Sequence, residues 1–146
     1  MKQELGSGVY KVQVGSDQTL YVYKEVDRPL YKPRDTEVLE KELLNLQLLR
    51  STSSVVQLVA AVVSNNLYQT AETPKNETPT ILRGILLEYH PNGTLQDALD
   101  SPNPTTNFPW HQWAVEITGA LARLHQLGIT HMDLKPKNIV ISEHLN

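Results

Sequence analysis

Apolar residues along the chain follow two different spacings, and each spacing predicts a different kind of secondary structure. Residues 20–26 are rich in β-branched and aromatic side chains, and residues 81–89 form a longer apolar run, so both segments predict strands. The segment 35–50 contains no Pro or Gly, and Asp35 or Thr36 can cap its start, so it predicts a helix. Its leucines recur at the spacing of one helix face: Leu39, Leu43, Leu46 and Leu49.

A second amphipathic helix is predicted at residues 110–127. Gly128 follows it as a helix stop, and its apolar residues repeat every three or four positions: Trp113, Ile117, Leu121 and Leu124. Residues 138–141 end in three consecutive β-branched residues and predict a short strand. The polar residues between Gly128 and Asn138 therefore form a loop with a helix before it and a strand after it.

The composition excludes several classes of protein. The chain has 146 residues, 40% of them hydrophobic, a net charge of -3 and no cysteine, which suits one globular unit without disulfides or thiolate zinc sites. Its mild acidity gives no basic surface for nucleic acid, and it has no apolar run of about 18 residues for a membrane span. The start, Met1 to Glu4, lacks an apolar signal region, so we expect a soluble, intracellular protein of the cytoplasm or nucleus.

The loop before the last predicted strand carries the strongest chemical pattern of the chain. Its sequence, His131-Met132-Asp133-Leu134-Lys135-Pro136-Lys137-Asn138, resembles the catalytic loop of eukaryotic protein kinases of the serine/threonine type. The resemblance implies that Asp133 orients the substrate hydroxyl and accepts its proton, that Lys135 offsets charge on the transferred phosphoryl group, and that Asn138 binds Mg²⁺. Met132 stands where most family members have an Arg that pairs with a phosphate. The alternative is a polar turn with solvated lysines.

The same resemblance predicts a nucleotide site in the first half of the chain. Lys24, on the strand 20–26, would contact the α- and β-phosphates of ATP, and Val22 would lie over the adenine ring. The helix 35–50 would pair one of its glutamates with Lys24. Glu42 is favoured because Leu46 and Leu49 follow it at the family's spacing, with Glu40 second, although any of these glutamates could instead lie on a solvated helix face.

Residues 5–12 look like the glycine loop that covers the phosphates, with a partial match. Gly6 and Gly8 permit close approach of the backbone to a phosphate, whereas Lys11 occupies the place of the third glycine. We therefore expect a shortened or irregular loop. Two glycines are equally typical of an ordinary hairpin turn.

The hinge between kinase lobes is matched by residues 87–95. By position, Leu87 guards the back pocket, and the Glu88 carbonyl and the His90 amide bind adenine. Thr94 would lie near the ribose, and Val140 would close the adenine site from below. The alternative is a strand, a Pro-Asn-Gly turn and a helix without a ligand.

The fold implied by the resemblance is of the α+β class. It is a protein-kinase-like fold with a five-stranded antiparallel N-lobe sheet and one prominent helix in residues 1–88. A hinge and an incomplete, mainly helical C-lobe follow in residues 89–146. No Asp-Phe-Gly follows Asn138, so we expect a domain cut short and impaired in activity. The apolar face of the helix 110–127 would then be exposed and available to a protein partner.

The function implied is transfer of the γ-phosphate of ATP to a protein hydroxyl, with Mg²⁺ as cofactor. A second reading is a non-catalytic, pseudokinase-like interaction module that uses the small lobe for protein contacts. A third is a small-molecule phosphotransferase of related fold, against which the sequence Leu134-Lys135-Pro136 favours the protein kinases.

Overall fold

A computed structural model describes residues 2–16, 18–25, 33–65, 80–101 and 108–142. These residues form strands, α-helices and one 3₁₀ turn, in the order β1 Lys2–Gly6, β2 Val9–Gln13, β3 Leu20–Glu25, α1 Pro33–Leu48, β4 Leu58–Asn65, β5 Thr80–Glu88, α2 Leu95–Asp100, α3 Trp110–Gln126 and the turn Pro136–Asn138. Strands therefore dominate the first part of the chain and helices the second.

The five strands make one antiparallel sheet in the order β1-β2-β3-β5-β4. β5 lies between β3 and β4, and this central position buries Ile85 completely and leaves Leu86 8% exposed. α1 packs against β4 and β5, and Leu39 within it and Leu49 directly after it are buried in the same core. The predicted α+β, kinase-like fold with a five-stranded antiparallel sheet is confirmed.

The first residue of α1 is Pro33, ahead of the predicted cap at Asp35 or Thr36. The prediction was wrong because it treated the absence of proline as a condition for the whole helix. Proline is unfavourable only in a helix interior. In the first turn its fixed φ suits the helix, and its missing N–H has no helical acceptor to lose.

The end of α3 sets the path of the chain into the loop that follows. The Gly128 amide donates to the carbonyl of His125 (3.0 Å), and the Ile129 amide donates to that of Leu124 (2.9 Å). Gly128 has φ +71°, the left-handed conformation that this capping pattern requires. The glycine predicted as a helix stop thus has a defined structural role.

The short strand predicted at 138–141 does not form. Asn138 ends the 3₁₀ turn, and Val140 makes a single bridge to Thr94. The Leu95 amide donates to Ile139, and the Ile141 amide donates to Gly93 (2.8 and 2.9 Å). The partner segment turns into α2 at Leu95, so the pairing cannot extend into a ladder.

Contacts within the chain divide it into two compact units. One contains residues 1–50 and 56–89, and the other contains residues 51–55 and 90–146. The assignment of 1–88 and 89–146 to the two lobes of a kinase stays a prediction. No helix in the described part of the chain is long and apolar enough to cross a membrane.

Candidate active site

Lys24 on β3 is joined to α1 by an ion pair. Its Nζ lies 2.7 Å from each carboxylate oxygen of Glu42, and both side chains are about one-third exposed, at 39% and 32%. Val22 is two residues away on β3 and so shares the face of the sheet that carries this pair. The competing Glu37 and Glu40 are exposed. Glu42 is thus the glutamate that contacts Lys24, whereas nucleotide binding by this pair stays a prediction.

The residues predicted for the hinge lie at the end of β5. Leu87 is half-buried and directly opposite Val22 in the sheet register. The Glu88 carboxylate accepts a hydrogen bond from the Gln57 amide (2.8 Å), and the Glu88 amide donates to the Gln57 carbonyl (3.2 Å). These two bonds fix the end of β5 to the chain before β4. His90 is half-buried and follows β5 by two residues.

The glycine segment forms a tight turn. Gly6 pairs with Val9, so only Ser7 and Gly8 connect β1 to β2, and the register shifts between Glu4 and Gly6. Gly8 is buried, has φ +69°, and its carbonyl accepts the amide of Glu25 (2.9 Å). A Cβ at Gly6 would meet no atom within 4 Å. The structure therefore requires a glycine at position 8 for the turn, and packing alone does not require one at position 6.

The predicted catalytic residues Asp133 and Lys135 and the predicted metal ligand Asn138 form one hydrogen-bonded group. One carboxylate oxygen of Asp133 accepts from Lys135 Nζ and from Asn138 Nδ2, each at 2.9 Å, and Asn138 Nδ2 also lies 2.9 Å from the Asp133 carbonyl. The hydrogen bond from Lys135, followed by that from Asn138, lowers the pKa of Asp133. Asp133 is therefore ionised at neutral pH and is a weak base in this state.

Met132 sets the direction of Asp133 through an unfavourable backbone conformation. Its φ is +60°, and the Asp133 amide donates to the carbonyl of His131 (2.8 Å), which closes a three-residue turn. A turn of this kind centred on a residue with positive φ is rare and strained. The Met132 side chain is 91% exposed, so side-chain packing does not compensate for the strain.

Thr94 caps α2. Its hydroxyl donates to the Asp97 carboxylate and accepts the Asp97 amide, and its own amide donates to the same carboxylate (2.7, 3.2 and 2.7 Å). These bonds from Thr94 lower the pKa of Asp97. The predicted ribose ligand is thus engaged with Asp97, which the sequence analysis missed although Thr-x-x-Asp is a readable capping signal. Val140, 39% exposed, is bridged to Thr94 through the backbone.

Comparison with known protein families agrees with the kinase-like fold. The family model for the protein kinase domain matches residues 1–146. The chain belongs to the protein kinase family. Its relatives include serine/threonine-protein kinases, the type whose catalytic loop residues 131–138 resemble.

Three relatives show the range of kinases to which this kinase chain is similar. Serine/threonine-protein kinase ArnS of Sulfolobus acidocaldarius is 29% identical, with 97% of this chain and 24% of ArnS covered. A probable serine/threonine-protein kinase of Dictyostelium discoideum is 30% identical over 75% of this chain and 10% of its own length. The Aurora kinase of Candida albicans is 33% identical over 70% of this chain and 19% of its own length. The chain spans about a quarter or less of the length of these relatives.

The donor set of this kinase chain fits Mg²⁺ at Asn138. The amide nitrogen of Asn138 is committed to Asp133, which orients the amide oxygen as the remaining ligand atom of the side chain. Mg²⁺ prefers such oxygen ligands and takes one or two from the protein, with the rest from phosphates and water. Within the described residues no three His, Asp or Glu side chains form a metal site by themselves. The family's use of ATP and Mg²⁺ is consistent with this arrangement.

Proposed function

We propose that the chain is the ATP-binding part of a serine/threonine protein kinase that transfers the γ-phosphate of ATP to a protein hydroxyl. The observation that carries the proposal is the pair between Lys24 and Glu42, because protein kinases need this ion pair in place for catalysis. Glu42 holds the ammonium in one position, from which Lys24 would contact the α- and β-phosphates. Gly6 and Gly8 would lie near the phosphates.

Adenine would be recognised by the end of β5 and the residues after it. In this proposal the Glu88 carbonyl and the His90 amide bind the base, and Leu87 limits the depth of the pocket. Val140 would also contact the base. Thr94 would contact the ribose through its backbone or after its hydroxyl leaves Asp97, because that hydroxyl is engaged in the capping box.

The catalytic loop would supply the groups for transfer. Bound Mg²⁺ supplies positive charge to the phosphates, and Asn138 would hold it through the amide oxygen. Asp133 would orient the protein hydroxyl and take its proton as the bond to phosphorus forms. Since the pKa of Asp133 is lowered, orientation is the larger part of its role. Lys135 would move from Asp133 to the transferred phosphoryl group.

Nucleotide binding is tested first, by thermal denaturation with Mg·ATP. Ligand at 100 times its Kd stabilises a protein by about 2.7 kcal/mol. We expect a clear rise in Tm for the wild type, none for Lys24→Met, and an unchanged rise for Lys41→Met, which removes a charge from an exposed position on α1. Equal shifts in all three proteins, or no shift in the wild type, would contradict ATP binding at Lys24.

Phosphate transfer is tested with labelled ATP and a mixture of serine- and threonine-containing peptides. These 146 residues contain no Asp-Phe-Gly sequence, which supplies a second Mg²⁺ ligand in kinases, so a polypeptide limited to them should bind nucleotide and transfer phosphate poorly. Any residual transfer should disappear in Asp133→Asn. Turnover that survives Asp133→Asn would argue against the assigned role of Asp133.

A non-catalytic kinase-like module is the alternative, and the two-residue Ser7–Gly8 turn favours it because so short a turn offers few amides to phosphates. Absence of binding at saturating Mg·ATP, with a folded protein, would support it.

A protein partner on α3 also stays a proposal. Trp110 and Val115 are exposed there, whereas Leu124 is buried. ATP-dependent kinases act inside cells, so we place the protein in the cytoplasm or nucleus, which imaging of a tagged protein would test.

A further inference from the structure

Lys11 lies in an unexpected place on the sheet. On β2 it is directly opposite Val22 of β3, and Val22 is directly opposite Leu87 of β5. Residues directly opposite each other in adjacent strands share one face, so Lys11 belongs to the face that carries Lys24 and Val22. The kinase resemblance places Val22 over the adenine ring, so this is the face expected to contact the base.

The ammonium of Lys11 is held by an aromatic ring. Its Nζ lies 4.6 Å from the centroid of the Tyr89 ring, and the residue is half-buried. No carboxylate of the described residues pairs with it, whereas Lys24 is paired with Glu42 and Lys2 with Glu25. A positive charge over an aromatic face is stabilised by the ring, and the opposite side of that charge can accept a second π-face.

We propose that Lys11 is a base-contacting residue of the nucleotide site, with its ammonium between the Tyr89 ring and the face of a bound purine. The inference rests on the proposed function and adds to it a contact made by the base. The position of Lys11 beside Val22, and its contact with Tyr89 directly after β5, favour the base over the phosphates. In this arrangement Lys24 contacts the phosphates of the nucleotide and Lys11 contacts its base.

The test is a series of ligands that share one base and differ in phosphate number. The Kd values of adenosine, AMP, ADP and ATP, the last two with Mg²⁺, are measured by NMR titration of the 146-residue chain. Lys11→Met should raise all four Kd values by the same factor, roughly two- to thirtyfold. Lys24→Met should raise those of ADP and ATP and leave adenosine unchanged. Lys11→Arg should bind all four ligands close to wild-type affinity.

Lys2→Met is the matched control. Lys2 also lies over a tyrosine ring, 3.6 Å from the centroid of Tyr10, but it pairs with Val12 in the sheet and so lies on the opposite face from Lys11. Its substitution removes the same charge and should leave all four Kd values unchanged. Circular dichroism verifies the fold of each variant.

The remaining outcomes would contradict the proposal. A loss in Lys11→Met that grows with phosphate number would make Lys11 a phosphate ligand and overturn the proposal. An equal loss in Lys2→Met would assign the effect to net charge, and no loss in Lys11→Met would exclude the contact. If the wild type binds none of the four ligands, the proposed function itself fails, and this inference fails with it.

Discussion

Replacing Gly84 by alanine is expected to force apart the two central strands of the sheet. Gly84 lies on β5 opposite Glu25 of β3. A Cβ at this position would stand 2.6 Å from Cζ of Tyr23 and 2.7 Å from the carbonyl oxygen of Lys24. The tyrosine ring can rotate away, but the carbonyl belongs to the backbone of β3, so the strand must shift.

The size of the effect follows from two opposing terms. Overpacking costs about 1–3 kcal/mol, whereas alanine reduces the entropy of the unfolded chain by about 0.4–1 kcal/mol. The net expectation is a loss of about 1–2 kcal/mol in the free energy of unfolding. Since the displaced backbone is that of Lys24, its contact with Glu42 should loosen as well.

Gly119→Ala is the matched control, because the chemical change is the same and the surroundings differ. Gly119 lies within α3, and a Cβ there would meet no atom within 4 Å. Alanine should therefore stabilise the helix by about 0.5–1 kcal/mol. Urea denaturation followed by circular dichroism, with hydrogen exchange at the β3 and β5 amides, measures both variants. Equal stabilities for the two variants would refute the steric argument.

Three further predictions concern the loop and the α2 cap. The carboxyl group of Asp133 should titrate by NMR below the usual aspartate value of about 3.9, and Lys135→Met should raise its pKa. Because the pKa of Asp133 is lower in the folded state, ionised Asp133 stabilises the fold. This contribution is complete at a pH above the pKa of the unfolded state and is lost as the pH falls through the pKa of the folded state. Thr94→Ala should lower the stability of α2 by about 0.5–2 kcal/mol, measured as faster hydrogen exchange of its amides. The same substitution should raise the pKa of Asp97. Met132→Gly should raise the free energy of unfolding by about 1 kcal/mol in urea denaturation, since glycine adopts positive φ without strain.

Local patterns in the sequence predicted the parts of the candidate site that depend on short separations. Asp133 and Asn138 are five residues apart, and their hydrogen bond forms within one loop. Leu46 and Leu49 follow Glu42 at the spacing that the kinase family shows, and this resemblance selected Glu42 as the partner of Lys24, the contact that the structure shows. Strand register cannot be predicted from such local patterns, because it depends on which residues pair across neighbouring strands. The pairing of Gly6 with Val9, and hence the position of Lys11, could not be read from two glycines.

The predicted nucleotide-binding pair and the predicted catalytic group depend on different structural contacts. The pair Lys24 and Glu42 joins residues 18 positions apart and is half-buried, so it depends on the packing of α1 on β5 around Ile85. The group at Asp133 is exposed and local, and its neighbours at 139–141 are hydrogen-bonded to residues 93–95 at the start of α2. Core substitutions around Ile85 should therefore loosen the contact between Lys24 and Glu42, whereas loss of the Thr94 cap should disturb Asn138 first.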